Sequence, residues 1–303
     1  MKPKFKLFAI SLLLLTFSSA FAQKDTTTSK SDTNPPKKSH LKIGVSYLSN
    51  NVFLGRVDTV TTPTFSPKIS YTLKSGFYVS GQMDFITNRN NNKLDGGNVE
   101  LGYDYTEDDN LEWGASFTKL FFNSTSTQVA SSLSSTANAY IDYDVADIIT
   151  PGLSLSYSFV KGGGSGDLLL SPSLSHDFLI ESIFADDDKL LISPQAGFNA
   201  GSQNFYSEYL VRKGKINRKG VNAAYTTYNN DLGNFALLDY ELTAPIVYIA
   251  GNFSFSFTPT MAFAQDALPT NTAAEKLITD TIEKAQPFKS SVFYFEAGIS
   301  FKF

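Results

Sequence analysis

Cysteine does not occur in this chain, which removes disulfide frameworks, thiol nucleophiles and thiolate metal centres from consideration. Histidine is nearly absent too, with only His40 and His176 present. The net charge is −4, so the broad basic face that nucleic acid demands is missing. After the first 22 residues no run of about 18 apolar residues occurs, so no helix is available to cross a bilayer. Helical patterns are scarce as well. The segment with helix formers and i,i+4 charge pairs is Ala273 to Ala285, "AAEKLITDTIEKA", and a helix is expected there.

What is present begins with a processing signal. Lys2, Lys4 and Lys6 precede an apolar stretch from Leu7 to Phe17, about half the length a spanning helix needs. Ala20-Phe21-Ala22 then forms an A-x-A-like cleavage site. Residues 1–22 read as a cleaved signal peptide, and with no Cys behind the site a lipid anchor is excluded. Residues 23–40, rich in Thr, Ser, Lys and Pro, have little to bury and read as a flexible periplasmic linker. Residues 41–303 remain as one domain.

That domain alternates apolar and polar residues almost throughout. Leu41, Ile43, Val45 and Tyr47 alternate with Lys42, Gly44 and Ser46. The same pattern recurs over Phe65–Leu73, Phe77–Phe85, Val99–Tyr105, Trp113–Phe117, Ala139–Val145, Leu153–Phe159, Leu170–Ile180, Leu190–Phe198, Leu238–Leu242, Val247–Phe263 and Phe293–Phe303. Period two is a strand with one face in an apolar medium and the other in a wet one. About twelve such strands are expected, most near the 9–11 residues a tilted membrane strand requires.

The connections alternate in length. Asn50–Pro63, Thr87–Asp95, Asn123–Ser134, Gly162–Gly166, Gln203–Gly233 and Gln265–Pro287 are the long ones. Lys74–Gly76, Thr106–Asn110, Ala146–Gly152, Ala185–Asp188 and a break near Pro245 are the short ones. Sorting by parity fits an all-β, antiparallel transmembrane barrel with short periplasmic turns and long extracellular loops. A soluble sandwich has no reason for it. Backbone groups in lipid must all be paired, which a closed ring achieves.

The stretch "SNNVFLGRVDTVTTPTFSPKISYTLKSGFYVSGQMDF", Ser49 to Phe85, resembles the opening of the Gcw_chp family of Gram-negative outer-membrane proteins. "GGNVELGYDY", Gly96 to Tyr105, is similar to the next strand of that family. The resemblance implies an outer-membrane barrel and carries no catalytic residues. The final alternating segment, with Phe295, Ile299, Phe301 and Phe303, also looks like the signal by which such barrels are recognised for insertion, implying the barrel-assembly machinery as a partner beside membrane lipid.

Lumen-lining candidates follow from strand parity: Glu100, Asp104, Glu112, Asp142, Asp144, Asp177, Asp239, Glu241 and Glu296, with Glu181 beside them. Lys42, Lys68, Lys74 and Lys302 are the fewer basic ones. An acidic lumen favours neutral or cationic small solutes if it is open, which makes a narrow channel in the cell outer membrane the leading reading. A closed structural barrel with partner-binding loops 203–233 and 265–287 is the alternative. Twelve strands fall between the eight that side chains fill and the sixteen that leave a channel.

A lipid esterase built on Ser175 and His176 is a remote third reading, since successive strand residues point to opposite faces. Asp186–Asp188 and Glu107–Asp109 fall at expected turns, where acids are ordinary, so no metal site is assigned. "GGGSG", Gly162 to Gly166, lacks the Lys-Ser/Thr of a phosphate loop. No cofactor and no catalytic residue are expected.

Overall fold

The computed structural model describes residues 38–57, 60–91, 93–106, 110–163, 165–212, 232–265 and 290–303. The signal peptide and the segment Ala273–Ala285 lie outside these residues, as does all of the linker before residue 38.

Strand-forming alternation produces an antiparallel ring in chain order: β1 (His40–Leu48), β2 (Thr64–Thr72), β3 (Phe77–Ile86), β4 (Leu94–Tyr105), β5 (Leu111–Phe122), β6 (Leu133–Tyr143) and β7 (Thr150–Val160). Then come β8 (Asp167–Ser175 continued by Phe178–Glu181), β9 (Lys189–Ile192 continued by Gln195–Gly201) and β10 (Ala236–Thr243 continued by Ile246–Ala250). β11 (Phe253–Ala264) and β12 (Val292–Lys302) complete a closed barrel of 12 strands. Each strand pairs with its sequence neighbours, and the ends meet: Ile43 of β1 sits opposite Phe301 of β12, and the Phe303 N–H donates to the Leu41 carbonyl at 2.8 Å. Closure leaves no long unpaired edge.

The breaks in β8, β9 and β10 fall in one row, at His176–Asp177, Ser193–Pro194 and Ala244–Pro245. Proline has no N–H for the ladder, so β9 and β10 kink at Pro194 and Pro245, and β8 breaks beside them, where the His176 N–H reaches the Pro194 carbonyl at 3.2 Å. Neighbours still bridge the row, with Ser193 N–H on the Pro245 carbonyl at 2.9 Å and Ala244 N–H on that of Pro259 at 3.2 Å.

Pro245 was expected to mark a turn. It is a kink instead, and the turn lies at Gly251 (φ +56°) and Asn252, where Ala250 pairs with Phe253. A two-residue turn carries parity across the hairpin, so Val247 points inward, 5% exposed, and Tyr248 shares the outer face with Phe253 and Phe255. Val247 and Ile249 therefore do not share the lipid face with Phe253, as unbroken alternation implied.

The solvent pattern is inverted relative to a water-soluble domain. Outward residues such as Met83, Leu101 and Phe293 are 58%, 58% and 61% exposed, while inward Ser154, Glu100 and Asp142 are buried. An apolar belt of this extent is stable only against hydrocarbon.

Three bulges sit at the long-loop end, at Asp84/Phe85 against Leu94–Gly96, at Leu133/Ser135 against Val160, and at Asn199/Ala200 against Leu237–Asp239. A bulge inserts one residue and re-aims its neighbours. Asp95 and Leu238, the inserted residues of two of them, are fully buried as a result. Alternation placed Leu238 on the lipid face with Tyr240 and Leu242; the bulge turns it into the barrel.

Candidate functional site

The lumen divides into an apolar half and a polar half. At the long-loop end, three connections fold into the ring. The first forms a small ribbon, Val52–Phe53 paired with Arg56–Val57. The second contributes a 3-10 turn, Val129–Ser132, and the third a helix, α1 (Asn204–Arg212). Phe53, Leu54, Val129, Ala130, Phe205, Tyr206, Tyr209 and Leu232 pack there against wall residues Leu120, Leu133, Val160, Leu169 and Leu238. Phe53 meets Phe205 edge-on at 4.8 Å. Each fully buried Leu or Phe contributes roughly 1.5–3 kcal/mol to this plug.

Polar side chains fasten the plug to the wall. Asp167 at the start of β8 accepts hydrogen bonds from the N–H groups of Asn204 (2.6 Å) and Phe205 (2.8 Å), capping α1 from another strand. Asp95 accepts from Ser126 Oγ and Gln128 Nε2, each at 2.7 Å, and pairs with Arg89, tying together the loops after β3 and β5. Arg56 donates to Gln203 and lies 5.0 Å from the centre of the Tyr206 ring, joining ribbon to helix. The ribbon turns at Leu54 (φ +51°) and Gly55 (φ +71°). A Cβ on Gly55 would stand 2.9 Å from Ala264 Cα and 3.1 Å from Asp239 Cβ, so the tip is pressed against the wall.

In the other half, one wall carries acids and tyrosines. Glu100 accepts from Tyr78 (3.0 Å) and Thr118 (2.7 Å), and Asp104 from Tyr140 (2.9 Å). Glycines make the room: a Cβ on Gly102 would lie 2.5 Å from the Tyr78 ring, and one on Gly114 2.6 Å from that of Tyr140. Asp142 stands opposite Glu112 across β5 and β6 and fills the space over Gly152. Hydrogen bonds to carboxylates, about 1.5–3 kcal/mol each, replace the water these groups lose.

The facing wall, on β11, β12, β1 and β2, carries serines, glycines and lysines. A cavity of about 50 Å³ opens there, bordered by Lys42, Lys68, Ser70, Gln82, Ser256 and Ser300 among others. The lumen is thus polarised, with most carboxylates on one side and, apart from Glu296 on β12, ammonium groups on the other.

The remaining sequence candidates have distinct places. Asp239 and Glu241 face inward beneath the ribbon, Asp239 accepting from Asn199 at 2.7 Å and Glu241 from Tyr294 at 3.5 Å. Glu296 is half-buried within electrostatic reach of Lys68. Asp177 is buried at the kink of β8. Asp144 accepts the Asp147 N–H at 2.8 Å and so shapes a turn. Glu181 is exposed in the short hairpin and pairs with Lys189 at 2.9 Å rather than lining the lumen. In the final strand, Phe301 meets Phe253 and Phe303 edge-on, at 4.8 and 4.7 Å, while Phe295 and Ile299 continue the same face. His176 lies edge-on to Phe178 at 4.4 Å, whereas Ser175 donates to the Thr150 carbonyl at 3.4 Å, so this pair is not brought together.

Alternation missed Asp95, Asp167, Arg56 and α1. The available signal for α1 was the spacing of Phe205, Tyr206 and Tyr209, which puts aromatics on one helical face.

No family model matches the chain, and no curated protein matches it. Among solved structures it is similar to a KdgM porin, with 10% identity, 86% of this chain and 99% of that chain covered, and a TM-score of 0.47. It is also similar to a NanC porin (10% identity, 86% and 98% covered, TM-score 0.41) and to LpxR from Salmonella typhimurium (11% identity, 86% and 99% covered, TM-score 0.38).

Proposed function

We propose that the protein is an outer-membrane channel for small polar solutes whose long-loop mouth is held shut by its own loops. The observation that carries this reading is the polarised lumen: one wall keeps serines, glycines and lysines around a cavity where larger side chains would have filled the ring. Carboxylates outnumber lumenal lysines, which biases the path toward neutral and cationic solutes. Export by the signal peptide of residues 1–22, insertion through the assembly machinery, and membership of the Gcw_chp family belong to the same proposal.

The burial of nearly all inward polar groups favours a second reading, a closed barrel that serves as a surface scaffold. Planar-bilayer recording separates them. Wild-type protein is expected to give small, infrequent openings. Gly55→Val, with a left-handed backbone and no space for its side chain, is expected to expel the ribbon and give sustained current. Silence from both proteins would leave the scaffold.

A further inference from the structure

The cavity on the serine wall has a one-sided chemistry. Its lining offers the hydroxyls of Ser70, Ser254, Ser256 and Ser300 and the ammonium groups of Lys42 and Lys68, and no carboxylate borders it. Gly44 and Gly298 keep the wall low: a Cβ on either would come within 2.9 Å of Ser300 Cβ or Ser256 Oγ.

Lys68 is the decisive group. Glu100 and Glu296 attract it through space, yet among the described residues it makes neither a hydrogen bond nor an ion pair. An enclosed ammonium with three open N–H donors calls for acceptors, and serine hydroxyls turn to donate beside it. A donor-rich pocket of this size has room for about four waters, or one ligand of about four or five non-hydrogen atoms.

We infer that this cavity binds a small oxyanion, the carboxylate or phosphate group of a solute or the free ion, with Lys68 as its principal cationic contact. Glu100 and Glu296 attract the ammonium and oppose an incoming anion, so the affinity expected is weak, on the order of 1 mM. The binding rests on the lining of the cavity and not on the channel reading, whose acidic excess disfavours passage of an anion.

Isothermal titration of the full chain in detergent tests it, with sodium acetate and, separately, sodium phosphate against chloride at matched ionic strength. Saturable binding of either ion is expected, and which ion binds identifies the anionic group. Lys68→Met is expected to weaken it at least tenfold, and Lys119→Met, on the outer face, to leave it within twofold. Heat-modified gel migration checks folding; should Lys68→Met fail that check, Ser256→Val, which fills the cavity opposite Gly298, is expected to give the same loss. Folded wild type that binds neither ion, or folded cavity variants that bind as tightly as wild type, would overturn the inference. A protein that binds but never conducts would overturn the channel reading alone.

Discussion

The two halves of the lumen are closed by different physics. At the long-loop end, segments far apart in sequence meet through apolar contact: the ribbon near Phe53, the turn at Val129 and the helix at Phe205. At the short-turn end, cohesion runs between close strands through hydrogen bonds such as Tyr78 to Glu100 and Tyr140 to Asp104. The first kind is non-directional and tolerates rearrangement as a unit; the second is directional and belongs to the wall. The proposed channel would open by moving the first and keeping the second.

Experiments that disturb one half and read both would break or sharpen this contrast. The largest effect is expected from Phe205→Ala, which removes the centre of the plug at a cost of about 3–5 kcal/mol. Hydrogen exchange should rise across 52–57 and 129–132 while strands β3 to β7 keep their protection. Loss of protection in those strands as well would show that the halves are one cooperative unit.

A smaller effect is expected from Tyr140→Phe, which strips Asp104 of its 2.9 Å hydrogen bond and costs about 1–3 kcal/mol. The thermal midpoint of the gel-shift transition should fall, with plug exchange unchanged.

The smallest concerns the exposed turn after β8. Burial pushes the Asp188 carboxyl up, but hydrogen bonds from the Tyr248 hydroxyl and the N–H groups of Phe184, Ile183 and Ala185 outweigh it and hold the group below the usual carboxylate range. A depressed folded value means that the stabilisation is present above the ordinary carboxylate value and is lost as pH falls through the folded one. Amide protection at Ile183, Phe184 and Ala185 should hold down to about pH 4 and fade below it. Fading already above pH 5 would show that Asp188 does not organise the turn.

Much of the wall was legible in the sequence because period two maps directly onto two faces. Met83 and Leu101 outside, Glu100 and Asp142 inside, all follow from counting. Counting fails wherever the chain gains a residue or reverses at a place other than the one chosen for the turn. The turn at Gly251–Asn252 inverted Val247, and the bulge opposite Asn199 inverted Leu238. The bulge leaves no mark in local composition, whereas Gly251-Asn252 is itself a hairpin-turn dipeptide that was passed over for Pro245, which proved to be a kink. The plug was illegible for a further reason. Its residues read as polar loop with scattered aromatics, and only their convergence makes a core.

By itself the sequence determined a ring of strands with an oily exterior and a polar interior, because side-chain alternation is a local property that each strand expresses independently. Only the tertiary structure decided that the interior is stoppered at one end, that its lysines gather across from most of its carboxylates, and that Lys68 faces a cavity. Those outcomes depend on which strands become neighbours and on where three loops go once the ring has closed, and contacts between distant segments are not written in any local period.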